Sequence, residues 1–405
     1  MIGGDRRSEG RAGHGVADWS EILRPFLSGG VELDERQLDE ALAEAPLLWL
    51  LGKTGSGKSS VVRYLTGAEE AEVGGGYRPQ TRTSKQFDFP DSDAPLVRFL
   101  DTRGLGEVAY DPSDDIRRFA GRAHLVVVTV RAADQSLKEI VEPLRTIRRA
   151  EPDRPVLLLL TCLHELTAGR DASAELSFSD GPRPLPEGDW PEVTQAVERQ
   201  YERFDGLFDR AACVDLTPVE WGMAEPEFGG EALKDAVLSL LPEAQRHAVA
   251  SAILQKSDAP DHGHLDAKIL AYSCAAASAA AVPLPWVDIP VVAGLQWHLT
   301  KVVAEAHGQP FDRAAVARMS AMLGGRAALV MAVRELAKVV PYVGSVVNAS
   351  AAFGITYAAG KASDFYFREA AKGREPTAAE VRRIYAGQIE KAAALWKRTG
   401  GGVPE

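Results

Sequence analysis

The residues with the clearest chemistry are Gly52, Lys53, Thr54, Gly55, Ser56, Gly57, Lys58 and Ser59, which spell the pattern GxxxxGK[ST]. Glycines let a backbone curl until several N–H groups point inward, which makes a cradle for phosphate oxygens. In such a cradle the Lys58 ammonium reaches the β- and γ-phosphates of a nucleotide and the Ser59 hydroxyl ligates Mg²⁺; Ser60 follows at the start of the next helix. Further on, Asp101, Thr102, Arg103 and Gly104 form a DxxG pattern 42 residues after Ser59. Asp101 is expected to hold Mg²⁺, directly or through water, and the Gly104 N–H to face the γ-phosphate. Between the two patterns lies YRPQTRT at 77–83. A nucleotide switch needs a mobile loop whose threonine closes on Mg²⁺ and the γ-phosphate. Thr81 is the first candidate and Thr83 the second, with the glycine triplet at 74–76 supplying freedom. Lys58, Thr81 and Gly104 are thus the candidate catalytic groups, and Ser59, Thr81 and Asp101 the candidate metal ligands.

These groups need a strand before the cradle and a helix after it. PLLWLLG at 46–52 is an apolar run of strand length, and SSVVRYLTG at 59–67 reads as the helix. Further strands are expected at 96–100, 124–130, 156–160 and 212–216, with helices at 33–44, 114–122, 136–150 and 191–208. Ser136 and Glu139 have capping-box spacing, as do Thr377 and Glu380. Continuous apolar strands alternating with helices imply a mostly parallel sheet covered on both faces, an α/β domain. The Pro-, Gly- and Asp-rich stretch at 169–192 reads as a long surface loop.

The 405 residues suggest more than one domain, at roughly 100–200 residues each. The net charge of −11 argues against general nucleic-acid binding. It is unevenly spread, with residues 246–405 at +5 and the remainder at −16. The organisation expected is a tail and helix at 1–45, a nucleotide domain at 46–245 and an all-α, Ala/Gly-rich helical domain at 246–405. Cys162, Cys213 and Cys274 are scattered and lack CxxC spacing, so neither a disulfide framework nor a zinc site is expected. The first residues contain no apolar run, and no secretory signal is expected.

GKSSVVRYLTG, PQTR and DTRGL together resemble the Era-like branch of bacterial GTPases. The resemblance implies GTP and GDP as ligands, Mg²⁺ as cofactor and slow hydrolysis. Leu105 stands where Ras-like proteins carry a water-orienting glutamine, so another group must serve. The family's base-recognition motif, [NT]KxD, is altered here to Thr161, Cys162, Leu163, His164 and Glu165. The acidic base acceptor is either shifted to Glu165 or replaced by His164. Glu165 is preferred, since a carboxylate supplies the two acceptors that guanine needs. Thr217, in Asp215-Leu216-Thr217, stands where the family's next loop touches the base.

The second half resembles the hydrophobic domain of YcjF-type bacterial membrane proteins and, more distantly, the helical part of immunity-related GTPases. VPLPWVDIPVVAGLQWHLTKVVAEAHG and KVVPYVGSVVNASAAFGITYAAG carry this likeness. Residues 269–287 and 339–360 are uncharged stretches of 19 and 22 residues, long enough to cross a bilayer. They are dominated by Ala, Gly and Ser, and Ser350, Gly354 and Ala358 form a small-xxx-small ladder that lets helices approach closely. Close-packed soluble helices, conditional or peripheral insertion, and permanent spans stay open as readings. The expected partners are GTP, a membrane lipid or a protein effector through 265–370, and a second copy in a nucleotide-dependent dimer. The expected setting is the cytoplasm or the bacterial inner membrane. A binding module without turnover and an ATPase are the rival functions.

Overall fold

The computed structural model describes residues 36, 42, 45–68, 78–79, 84–102, 121–167, 175–241, 246, 248–250, 253, 263–281, 288–311 and 344–399. Strand β1 (Leu47–Leu51) is buried at every position. Helix α1 (Lys58–Thr66) follows the cradle and ends at Gly67, whose N–H donates to Arg63 O. Then come β2 (Arg78–Pro79), β3 (Ser84–Phe89), β4 (Val97–Thr102), β5 (Leu125–Arg131), α2 (Lys138–Ala150) and β6 (Val156–Thr161). A small pair, β7 (Ser177–Phe178) and β8 (Pro186–Glu187), precedes α3 (Pro191–Arg203), β9 (Arg210–Cys213) and α4 (Gly230–Leu240).

Among the described residues the main sheet has seven strands in the order β2-β3-β4-β1-β5-β6-β9. β4, β1, β5, β6 and β9 run parallel, while β2 and β3 are antiparallel additions at one edge. β5 and β6 are apolar runs, buried from end to end except at Arg131, as strands covered on both faces must be. The expected strands at 96–100, 124–130 and 156–160 lie within a residue or two of β4, β5 and β6, whereas that at 212–216 starts earlier, at Arg210.

Three expectations need adjustment. The α2 helix starts at Lys138 after Leu137, with no side-chain cap. Ser136 instead donates its N–H to Asp134 Oδ1 at 2.9 Å, because Asp134 is already fixed by Lys53. The stretch at 169–192 is no bare loop in its described part: it carries the β7–β8 pair, buries Leu176 and Trp190, and lends Pro184 O to the Tyr201 hydroxyl at 2.7 Å. The third concerns the end of the expected helix at 191–208, which stops at Arg203 and turns through Phe204–Leu207. Of the helix expected at 33–44, Arg36 and Leu42 are described and helical, and positions 114–120 lie outside the described residues.

The second half is helical: α5 (Gly263–Ala281), α6 (Asp288–Ala306), α7 (Gly344–Ala371) and α8 (Ala378–Thr399). α7 packs against α5, α6 and α8. Small residues permit this. A Cβ at Gly360 would lie 2.8 Å from Ile269 Cγ2 and 3.0 Å from Leu299 Cδ2. Ser350, Gly354 and Ala358 are all buried. The few interior polar groups are satisfied locally: Ser273, Thr300 and Ser363 donate to carbonyls four residues back, and Gln296 Nε2 donates to Thr356 Oγ1 at 3.0 Å. The α8 capping box is formed, with Thr377 N–H donating to Glu380 Oε2 and Glu380 N–H to Thr377 Oγ1. Its apolar face docks inward through Val381, Tyr385, Ile389 and Trp396, while Arg382, Arg383 and Lys391 are exposed. Among the described residues no helix is long and apolar enough to cross a membrane; 282–287 and 339–343 lie outside them.

One contiguous cluster of buried apolar side chains runs from Leu48, Val61 and Phe99 beside the sheet to Ile269, Phe353 and Trp396 in the helices. A polar contact crosses the same boundary: Lys268 Nζ on α5 lies 2.7 Å from Asp91 Oδ2, in the turn joining β3 to β4.

Candidate nucleotide site

The C-terminal ends of the parallel strands meet around residues 52–59, the crevice where open α/β sheets hold ligands. The loop from β1 to α1 is shaped by two close approaches. A Cβ at Gly52 would lie 2.3 Å from Thr129 Oγ1, so only glycine lets the loop pass β5. Gly57 takes φ 92°, the left-handed conformation glycine adopts freely, and its missing Cβ faces Thr161.

Below the loop stands Thr129, fully buried on β5. Its hydroxyl donates to Leu51 O at 3.2 Å, which leaves Ser56 as the donor in the 2.7 Å contact between Ser56 Oγ and Thr129 Oγ1. Ser56 therefore points its side chain into the core and presents backbone to a ligand. Its carbonyl accepts the Thr161 hydroxyl at 3.0 Å, which ties the end of β6 to the cradle. Thr54 and Gly55 are exposed at the crest. Lys53 leans away: its Nζ lies 3.0 Å from Asp134 Oδ2 and also donates to Ser136 O. Burial would raise the Asp134 carboxyl, but the Ser136 N–H and the Lys53 ammonium outweigh it and hold it below the usual range.

Lys58 is nearly buried, and its Nζ donates to Gly52 O and Lys53 O, both at 2.9 Å. The ammonium is thus fixed across the loop mouth. Burial lowers it below the usual lysine range, against the opposing pull of Asp101, whose Oδ1 lies 3.8 Å away. Asp101 reaches this place because β4 pairs with β1 in the register Leu50↔Asp101. Ser59 is exposed in the first turn of α1 and Ser60 half-exposed beside it. A hydroxyl and a carboxylate flanking the cradle are hard oxygen donors of the kind Mg²⁺ accepts. Thr81 and Gly104 lie outside the described residues. Their neighbours Ser84 and Thr102 form one cross-strand pair, so both segments leave the same end of the β3–β4 hairpin.

On the other side of the cradle, β6 ends in Thr161 and the chain turns through Cys162, which has φ 56°, into a 3₁₀ turn at Leu163–Leu166. His164 faces Asp215, just beyond β9. Its N–H donates to Asp215 Oδ2 at 2.8 Å, and its Nδ1 lies 2.7 Å from the same oxygen. Thr217 N–H donates to Asp215 Oδ1 at 3.1 Å. Glu165 turns the other way and pairs with Arg131, Nη2 to Oε1 and Nε to Oε2. Between this pair and the cradle lies a cavity of roughly 370 Å³ whose lining includes Lys53, Thr54, Thr129, Arg131, Asp134 and Glu165.

Residues 48–162 match the family model of the 50S ribosome-binding GTPase. The sheet-bearing half is a P-loop GTPase domain. The match runs from β1 to just past Thr161, and so includes the cradle, the DxxG pattern and the first two residues of the altered base motif. No curated protein matches the chain. Three groups of this GTPase domain escaped the motif reading. Thr129 and Arg131 belong to an apolar strand, where nothing in the pattern singles them out. Asp215 carries a buried carboxylate in a loop noted only for Thr217; a charged residue directly after the apolar run AACV was the available sign.

Proposed function

We propose that the chain is a Mg²⁺-dependent GTP-binding and GTP-hydrolysing switch whose nucleotide state is transmitted to its helical half. The observation that carries this reading is the fixed Lys58 ammonium at the mouth of the cradle, beside Asp101 and under the exposed α1 N-terminus. Positive groups and inward N–H donors held in advance lower the cost of ordering a triphosphate. Mg²⁺ would be held by Ser59 and Asp101, with Thr81 as a third ligand when its segment closes. Bound there, it would neutralise charge on the phosphate oxygens. Neither Lys58 nor Asp101 is placed to orient water, and hydrolysis in isolation is expected to be slow.

The route to the helices is the β3–β4 hairpin. One end of it leads to Thr81 and Gly104, the groups expected to sense a γ-phosphate. Its other end carries Asp91, paired with Lys268 on α5. Strands of six residues span roughly 20 Å, which is the reach needed to join the two. The matched family's description names the 50S ribosome, but the sheet-bearing half has a net charge of −16, an unfavourable field for RNA. An effector protein, a membrane surface or a second copy therefore suits the helical half better, in the cytoplasm or at the inner membrane.

Turnover of the full chain with GTP and with ATP, with and without Mg²⁺, tests the enzyme reading. Flotation with anionic vesicles in GDP and in a non-hydrolysable GTP analogue tests the coupling. Absence of turnover with tight GTP binding would favour a sensing module.

A further inference from the structure

We infer that the nucleotide base is read by His164, oriented by Asp215, and that the site leaves position 2 of the purine ring unread. This rests on the proposal that the cradle takes a purine nucleoside triphosphate. Thr161 fixes the place: its hydroxyl is bonded to Ser56 O in the cradle, and His164 follows three residues later at the edge facing the β9 loop. Of the two side chains able to meet a base there, Glu165 has each carboxylate oxygen engaged by Arg131, on the side of the cavity next to Lys53 and Thr54. His164 instead faces the loop that carries Thr217.

The chemistry of the His164 ring follows from its partner. Asp215 has a side chain with 0 % exposure, and its Oδ2 accepts the His164 N–H while touching Nδ1 at 2.7 Å. A carboxylate oxygen offers only lone pairs, so Nδ1 carries the ring hydrogen and Nε2 of the neutral ring is left as an acceptor. Nε2 has no partner among the described residues, and the side chain is 23 % exposed. The reader is therefore one acceptor in a fixed orientation.

One acceptor answers one donor. Guanine offers N1–H and the 2-amino group, and a carboxylate accepts from both. Nε2 accepts from N1–H alone. Hypoxanthine and xanthine keep N1–H and lack the 2-amino group, so they meet His164 as guanine does. Adenine has a lone pair at N1, which would face the Nε2 lone pair.

The test is competition of GTP, ITP, XTP and ATP against a fluorescent GDP analogue bound to the full chain. The expected result is that GTP, ITP and XTP agree within about threefold, while ATP is weaker by roughly 10-fold or more, because a wrong base leaves a polar group unpaired. In Glu165→Ala the ranking should persist; in His164→Ala the gap to ATP should close. The wild-type ranking alone decides the matter if a variant fails to fold. GTP binding more than about 10-fold tighter than ITP, with the difference lost in Glu165→Ala, would overturn the assignment and return base reading to Glu165. Equal binding of all four would overturn it too. Binding of none would instead defeat the triphosphate reading on which it stands.

Discussion

Lys268 on α5 holds its ammonium 2.7 Å from the Asp91 carboxylate at the turn of the β3–β4 hairpin. Both side chains are partly exposed, so the pair contributes at most about 1 kcal/mol to stability. Its value as a coupling element is separate from that small energy. Lys268→Ala should leave the unfolding midpoint nearly unchanged. Amide exchange along α5 should differ between GDP and a GTP analogue in the wild type and differ less in the variant. Identical exchange in both nucleotide states of the wild type would remove the hairpin as the route.

Lys58→Ala deletes the one ammonium spanning the cradle mouth. Charge-assisted hydrogen bonds of this kind contribute about 1.5–3 kcal/mol, so GTP should bind roughly 10- to 100-fold more weakly. Ser59→Ala should instead weaken the Mg²⁺ dependence of binding more than binding in EDTA. Titration calorimetry with and without Mg²⁺ separates the two.

Thr129→Val keeps the shape of a buried side chain but leaves Ser56 Oγ without its acceptor. The expected cost is about 1–3 kcal/mol of stability, read by urea unfolding. GTP affinity should fall as well, although Thr129 lies beneath the loop and cannot meet phosphate. Unchanged affinity in a destabilised variant would show that the cradle keeps its shape without this support.

Two helical glycines should respond in opposite ways to alanine. Gly387 on α8 has open space around its missing Cβ, and Gly387→Ala should stabilise by about 0.5–1 kcal/mol through helix propensity. Gly360 on α7 has Ile269 and Leu299 within 3.0 Å, so Gly360→Ala should gain nothing and Gly360→Val should lose about 1–3 kcal/mol. Denaturant midpoints of the three variants give the comparison.

The α8 cap supplies a pH dependence. The Thr377 N–H and hydroxyl, with Arg374, hold the Glu380 carboxyl down at about 2, against an ordinary value of 4.5. A depressed folded-state pKa means that the stabilisation is complete above 4.5 and is lost as pH falls from 4.5 towards 2. The stability difference between wild type and Glu380→Gln should therefore shrink across that window. Added salt should also reduce it, since the group is at the surface.

The parallel sheet was legible because Leu47–Leu51 and Val156–Thr161 are unbroken apolar runs, and such runs at strand length have few other uses. The cradle was legible from its glycines and its flanks. Base recognition was harder to read. Chemistry at Glu165 favoured a carboxylate acceptor, but which way that carboxylate turns depends on Arg131, 34 residues away in sequence. Likewise the Ser136–Glu139 spacing promised a cap, yet Lys53 had claimed Asp134 and moved the local bonding. In the helices, the scarcity of Leu and Phe left three readings open. What sequence could not supply was the identity of the facing surfaces, where Gly360 admits Ile269 and Leu299.

The cluster that joins Leu48 to Trp396 also bears on how this chain can be cut. Trimming it to residues 46–245 would keep every motif of the GTPase domain. It would also strip the cluster of its members from α5, α7 and α8, among them Ile269, Phe353 and Trp396, and turn interior surface into a sticky flank. Fragments of that kind are prone to precipitate or to pair with each other through the bared face. The helical half is thus a lid over the switch as much as an appendage to it, and nucleotide measurements made on an isolated front half would describe a different molecule.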